Sequence, residues 1–267
     1  MSALIPLYFA HGNGFPSESY QELFDYLAPH FQINYAPMLG HGVYPVSDNW
    51  PHLVSELIAH IKDSGIFPVV GVGHSLGGIL MFLAACRAPE LFQQIILLDA
   101  PLLGFWRSRL LYFAKRFALM RYLTPVEQTR SRRIHFDSLQ QAFDYFKSKK
   151  LFKHFTDKSL EFYVNFGLNQ TSNGYTLRFD REVETNIFAT FPHNLINYRL
   201  PADFKRTLIY SIQGSVTKYD LNVMRKKYGF QLKLFPQGSH LFPFEYPKET
   251  AQQIGNIVFN STHRVLK

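Results

Sequence analysis

Short apolar runs alternate with stretches of helical period along the first hundred residues. Segments 4–10, 31–36, 67–72 and 94–99 read as strands, and 19–28, 50–63 and 77–88 as helices. The alternation resumes late in the chain as strand 207–212, helix 220–228, strand 231–235 and helix 247–260. This order predicts an α/β fold with about six mostly parallel strands in a doubly wound sheet, helices covering both faces. From Pro101 to about Asp203 the strand pattern lapses, and a long segment rich in Phe, Tyr, Lys and Arg intervenes. The expected organisation is a body from residues 1–102 and 203–267, interrupted by a helical insertion at 103–202. Within the insertion, Trp106, Leu110, Phe113, Phe117 and Met120 fall on one helical arc, with Arg109 and Arg116 on one flank and Arg107 and Arg121 on the other. The reading preferred for that arc is packing onto the body or roofing a pocket, ahead of contact with a membrane.

Charge changes the picture more than composition does. A chain of 267 residues with 46% hydrophobic content can bury a substantial core. Its net charge of +8 is concentrated: residues 105–160 hold 13 Lys and Arg against 4 Asp and Glu, which leaves 15 against 16 elsewhere. A basic insertion on a near-neutral body would suit an acidic carrier protein or an anionic lipid surface, or it is simply a solvated face. No stacking module or nucleic-acid motif accompanies the basic residues, so nucleic acid is not an expected partner. Cys86, the single cysteine, lies in an apolar helical stretch and reads as a small buried hydrophobe. The first ten residues lack a basic n-region and a cleavage site, and no apolar run reaches bilayer length, so a cytoplasmic protein without a transmembrane segment is expected. Eleven histidines are present, but none has the spacing of a metal-binding helix motif, so neither metal nor cofactor is expected.

The chemistry centres on Gly73-His74-Ser75-Leu76-Gly77, which follows an apolar run and opens a helical stretch. A Gly-x-Ser-x-Gly turn between strand and helix holds its serine on a strained corner with the hydroxyl exposed, and the flanking glycines let the elements approach. Ser75 is therefore the candidate nucleophile. Upstream, His11-Gly12-Asn13-Gly14 ends the first strand, and downstream Gly238-Ser239-His240 follows the last. A serine hydroxyl needs a base within roughly 2.6 to 3.2 Å, and His240 is the candidate. His11, His41 and His74 read as framework histidines.

With these pieces in place, namely His11-Gly12, Gly40-His41-Gly42, the turn at Ser75, a strand ending on Asp99-Ala100-Pro101 and His240 before a C-terminal helix, the chain resembles the α/β-hydrolase family over nearly its whole length. The resemblance implies the order serine, acid, histidine, and a cap inserted where the strand pattern lapses. It also implies an oxyanion hole from the backbone NH groups of Leu76 and Asn13. Haloalkane dehalogenases carry a similar His-Gly-Asn, but their nucleophile is an aspartate, so Ser75 argues against that activity. The acid departs from the common family pattern: Gln213-Gly214-Ser215-Val216-Thr217 lacks a carboxylate where most relatives carry one. Asp99, at the position some branches use, is the preferred acid, and Asp220 the alternative.

The expected activity is hydrolysis of carboxylic esters through an acyl-enzyme on Ser75, with His240 moving the proton and Asp99 orienting it. Two alternatives accompany it. One is a thioesterase acting on acyl carrier protein or coenzyme A conjugates; the other is a binding protein that uses the pocket without turnover.

Overall fold

The computed structural model describes residues 3–262. The chain begins β1 (Ile5–Ala10), α1 (Gln21–Leu27), β2 (Phe31–Tyr35), α2 (Pro51–Asp63), β3 (Val69–His74), α3 (Leu76–Arg87) and β4 (Phe92–Leu98). An excursion follows through α4 (Phe105–Arg116), α5 (Val126–Arg130), β5 (His135–Phe136), α6 (Leu139–Lys147), α7 (Asp157–Gly167), β6 (Leu168–Thr171), β7 (Gly174–Leu177) and α8 (Arg181–Ala189). The body closes with β8 (Arg206–Gln213), α9 (Lys218–Lys226), β9 (Gln231–Ser239), α10 (Phe242–Glu245) and α11 (Pro247–Thr262).

Six strands form one sheet in the order β2-β1-β3-β4-β8-β9, and every neighbouring pair is parallel. A parallel sheet is buried on both faces, which is why its strands are almost continuously apolar. Alternate side chains feed two separate cores. Tyr8, Val69, Ile95, Leu97 and Leu208 face α2 and α3, where Leu53, Leu57, Ile79 and Leu83 meet them. Leu7, Phe9, Val70, Val72, Ile96 and Ile209 face α1 and α11, meeting Leu23, Phe24, Ile254 and Val258. Pro236 is tolerated in β9 because that strand lies at the sheet edge, where a missing NH breaks no ladder. The order of strand addition reverses between β1 and β3, and in open α/β sheets the crevice beyond the C-terminal ends at such a point is where ligands bind.

The excursion is mostly helical but not entirely so. It contains a small antiparallel sheet in the order β5-β7-β6, whose strands of two to four residues are too short for alternation to be read from sequence. The aromatic arc of α4 also points the other way. Ser108, Leu111 and Ala114 are the inward residues, while Trp106 is 72% and Phe117 65% exposed, with Leu110 and Phe113 outward beside them; of the arc, only Met120 is buried. Arg107, on one flank of that arc, turns inward and pairs with buried Asp220. Lys115 likewise turns toward the body and pairs with Asp48. Cys86 is half-buried rather than fully enclosed.

The excursion is tied to the body through Glu22 on α1, which is buried and accepts hydrogen bonds from the hydroxyls of Thr156 and Ser159 at the start of α7. Removing the acceptor leaves two donors without a partner in a closed interface. Glu22→Ala should therefore lower unfolding free energy by about 1–3 kcal/mol in a urea titration, with Ser159→Ala costing less because the carboxylate keeps Thr156.

Candidate active site

Ser75 stands between β3 and α3 with φ 52° and ψ −113°, a conformation L-residues avoid. The corner is held from both sides. Its NH donates to the Leu98 carbonyl at 3.0 Å, and the NH of Gly77 donates to the His11 carbonyl at 3.0 Å. Glycine is required here by contact: a Cβ on Gly77 would overlap the Ala10 carbonyl, and one on Gly73 would overlap the Gly77 backbone.

His240, in the turn after β9, reaches Ser75 Oγ from Nε2 at 3.0 Å and Asp99 Oδ2 from Nδ1 at 2.6 Å. An ionised carboxylate only accepts, so Nδ1 carries the proton and Nε2 is left to accept from the serine hydroxyl. Asp99 follows β4 with φ 44° and has no exposure to water. Burial works against its charge. The hydrogen bond and charge of His240 and the NH of Ser215, 2.5 Å from Oδ2, outweigh it and hold the carboxyl below its ordinary range. The loop that lacks an acid thus serves the acid from β4: Ser215 donates to it, and Gly214 must be glycine because a Cβ would collide with the carboxylate.

Asp220 is engaged elsewhere. It accepts from the NH and hydroxyl of Thr217 in the capping box of α9 and from Arg107. The structure brings together Ser75, His240 and Asp99 and leaves Asp220 out.

Two of the framework histidines fasten this assembly. His74 is fully buried, and burial, reinforced by the charge of nearby His240, depresses its pKa to about 3. As a neutral ring it donates from Nε2 to the His240 carbonyl at 2.9 Å and accepts at Nδ1 from the Tyr20 hydroxyl at 2.7 Å. Tyr20 in turn accepts from the NH of Gly12 at 3.0 Å. One chain of hydrogen bonds therefore links the loop after β1, the serine corner and the histidine turn. His11, lowered to about 4 by burial, donates from Nδ1 to the Gly12 carbonyl at 2.8 Å and accepts the NH of Leu39 at 2.7 Å. His41 sits further out, where Nε2 accepts the NH of Asp180 at 2.9 Å.

Beside Ser75 and His240 opens a cavity of about 920 Å³, walled mainly by apolar side chains such as Phe15, Ile79, Leu103, Phe146, Phe152 and Phe188. Leu76 and Asn13 also border it, and neither backbone NH has an acceptor among the described residues. The side-chain amide of Asn13 is turned to the Glu184 carbonyl at 3.0 Å. Sequence reasoning missed a polar group in the wall: Arg132 donates to Glu184 at 2.8 Å and to the Tyr163 hydroxyl at 2.7 Å. Burial opposes the Arg132 charge, but Tyr163 and Glu184 more than offset this. Nothing in their spacing along the chain marks these three as neighbours. Among the described residues, no group of three or more His, Cys, Asp or Glu side chains is arranged to hold a metal ion.

A parallel sheet that presents a strained strand-to-helix serine corner at its C-terminal edge is the architecture of the α/β hydrolases. A family model described as the alpha/beta hydrolase family matches residues 7–253, and the chain belongs to that family. Among curated proteins it is similar to the type I acyl-CoA thioesterase mpaH' of Penicillium brevicompactum, 33% identical over 118 residues. It is also similar to the pimeloyl-[acyl-carrier protein] methyl ester esterase of Legionella pneumophila (strain Corby), 30% identical over 92 residues. The first match covers 36% of this chain and 27% of the relative, and the second 34% and 36%, so the chain spans about a third or less of either relative. Among solved structures, E-2-(acetamidomethylene)succinate hydrolase superposes with a TM-score of 0.76 over 96% of this chain and 92% of that one, at 15% identity. A thioesterase domain from the curacin biosynthetic pathway gives 0.68 over 94% and 92%, at 16% identity.

The two depressed histidines make stability depend on pH. Each has a folded pKa far below its unfolded value of 6.5, so the unfolded chain binds protons that the folded chain refuses. Their contribution is complete above pH 6.5 and is lost as the pH falls toward about 4 and then about 3. Urea midpoints should decline steadily across that window, and a His11→Asn variant should show a shallower decline.

Proposed function

We propose that the protein is a serine hydrolase of acyl esters that works through an acyl-enzyme. The observation that carries the reading is the unbroken Asp99–His240–Ser75 relay opening onto a large apolar cavity. Ser75 Oγ attacks the acyl carbonyl as His240 Nε2 takes its proton. Asp99 keeps the ring in the required tautomer and stabilises the imidazolium. The free NH groups of Leu76 and Asn13 receive the developing oxyanion, a contribution of about 3–4 kcal/mol for each donor placed correctly. His240 then returns the proton to the leaving alcohol, and the same base activates water to clear the acyl group. Segment 103–202 acts as the cap: its residues from α4 to α8 supply much of the cavity wall, including Leu111, Phe146, Tyr163 and Ile187. A volume near 920 Å³ with so apolar a wall suits an acyl chain of some length.

A thioester substrate is the second reading. It is favoured by the similarity to an acyl-CoA thioesterase, together with Lys149 in the cavity wall, which could meet a phosphorylated carrier. A series of p-nitrophenyl esters of increasing chain length, run beside acyl thioesters of the same lengths, separates the two. Labelling of Ser75 by a fluorophosphonate would exclude the third possibility, binding without turnover.

Ser75→Ala should lose hydrolysis by on the order of 10⁴-fold or more while keeping the wild-type urea midpoint within experimental error. Asp99→Asn should cost about 10³- to 10⁴-fold in kcat, because an amide cannot hold the basic tautomer. Asp220→Asn should leave kcat within about two-fold and instead lower stability by about 1 kcal/mol through the weakened cap of α9. Near-normal turnover by Asp99→Asn would overturn the assignment of the acid.

A further inference from the structure

Among the described residues, half of the large hydrophobic side chains that stand exposed fall between positions 105 and 123: Phe105, Trp106, Leu110, Tyr112, Phe113, Phe117, Leu119, Tyr122 and Leu123. An ordinary surface scatters such residues singly, so a cluster of this kind marks a contact surface. Its charge is as distinctive. Helix α4 carries no acidic residue, its inward cations Arg107 and Lys115 are consumed by Asp220 and Asp48, and the outward ones are Arg109, Arg116 and, just beyond the helix, Arg121. None of these three has an acidic partner among the described residues. Arg109 instead lies over the rings of Phe105 and Phe113, at 6.0 and 5.5 Å, and Arg121 over Tyr122 at 4.9 Å.

The geometry points to α4 and the turn after it as a docking surface for an anionic lipid membrane. Aromatic side chains interleaved with arginine on one outward face are what the headgroup boundary accommodates: rings enter the acyl edge while guanidinium groups remain among lipid phosphates. An acidic protein would satisfy the arginines but would need an apolar patch matched to Trp106, Phe113 and Phe117, whereas the acyl edge receives them without such matching. The surface is also continuous with the cavity, since Leu110 and Leu123 are half-exposed and at the same time line it. An acyl substrate could pass from bilayer to cavity along apolar side chains. That last link rests on the proposed hydrolase function; the docking itself does not.

The test is co-sedimentation of the Ser75→Ala protein, incapable of turnover by the proposed mechanism, with phosphatidylcholine vesicles containing about a third phosphatidylglycerol, compared with pure phosphatidylcholine. Of the two tryptophans, Trp50 is buried with its indole NH bonded to the Ile187 carbonyl, so a blue shift on vesicle addition reports Trp106. The protein should bind the anionic vesicles and shift its emission. The triple variant Trp106→Ser, Phe113→Ser, Phe117→Ser should bind at least about ten-fold more weakly, and Arg109→Glu with Arg116→Glu should erase the preference for anionic vesicles. Hydrolysis of a small soluble ester should be unchanged in these two variants built on the Ser75 protein, which keeps failure of docking distinct from failure of the hydrolase reading. Absence of vesicle binding would overturn the proposal. Equal binding by the triple variant would do the same, as would a dimer that this variant converts to monomer, or capture by an acidic acyl carrier protein without vesicle binding.

Discussion

A carboxylate sealed from water at the end of β4 is the constraint around which the rest of the site is arranged. A buried charge is costly unless hydrogen bonds and an opposite charge compensate it. Asp99 has both: the Ser215 NH, a longer bond from the Ser211 NH, and the ring of His240. The β8–β9 pairing shifts register between Ser211 and Gln213, with the extra residues on β9, and the chain after β8 passes so close at Gly214 that no side chain fits. Bulges commonly re-aim a strand beside a site, and this one falls on β9 just ahead of His240. His240, fixed by its bond to Asp99, is then left with a single ring nitrogen facing Ser75.

Much of this was legible in the sequence, because the relevant features are local. The serine corner is a pentapeptide whose glycines are required by contacts within a few ångströms. The six strands are buried on both faces and therefore read as apolar runs. Asp99 could be preferred over Asp220 only through family resemblance; in the structure Asp99 lies against the His240 ring, while Asp220 serves the first turn of α9 and the guanidinium of Arg107.

What was not legible depended on direction or on distant pairing. Periodicity correctly grouped Trp106, Leu110, Phe113 and Phe117 on one arc, but a helical period says which residues share a face and not whether that face meets a core. The orientation is decided by small Ser108 and Ala114 packing inward and by Asp220 and Asp48 drawing Arg107 and Lys115. The same limit hid Arg132, Tyr163 and Glu184, which meet across α7, α8 and the loop before β5, and the three-stranded sheet, whose strands are too short to show a period. A chain with an apolar helix face turned to solvent is locally inconsistent, and such inconsistencies are where functional surfaces are expected.

The chain from Gly12 through Tyr20 and His74 to the His240 carbonyl also bears on how this sequence can vary. Position 74 is the open second place of the Gly-x-Ser-x-Gly pattern, nominally free to hold any residue. Here it is occupied on both ring nitrogens in a closed space, and its partner Tyr20 lies on a different element more than fifty positions away. A replacement at either place strands a buried polar group at the other, so the two should drift together through related sequences, as a hydrogen-bonded pair or as an apolar one, with mixed combinations rare.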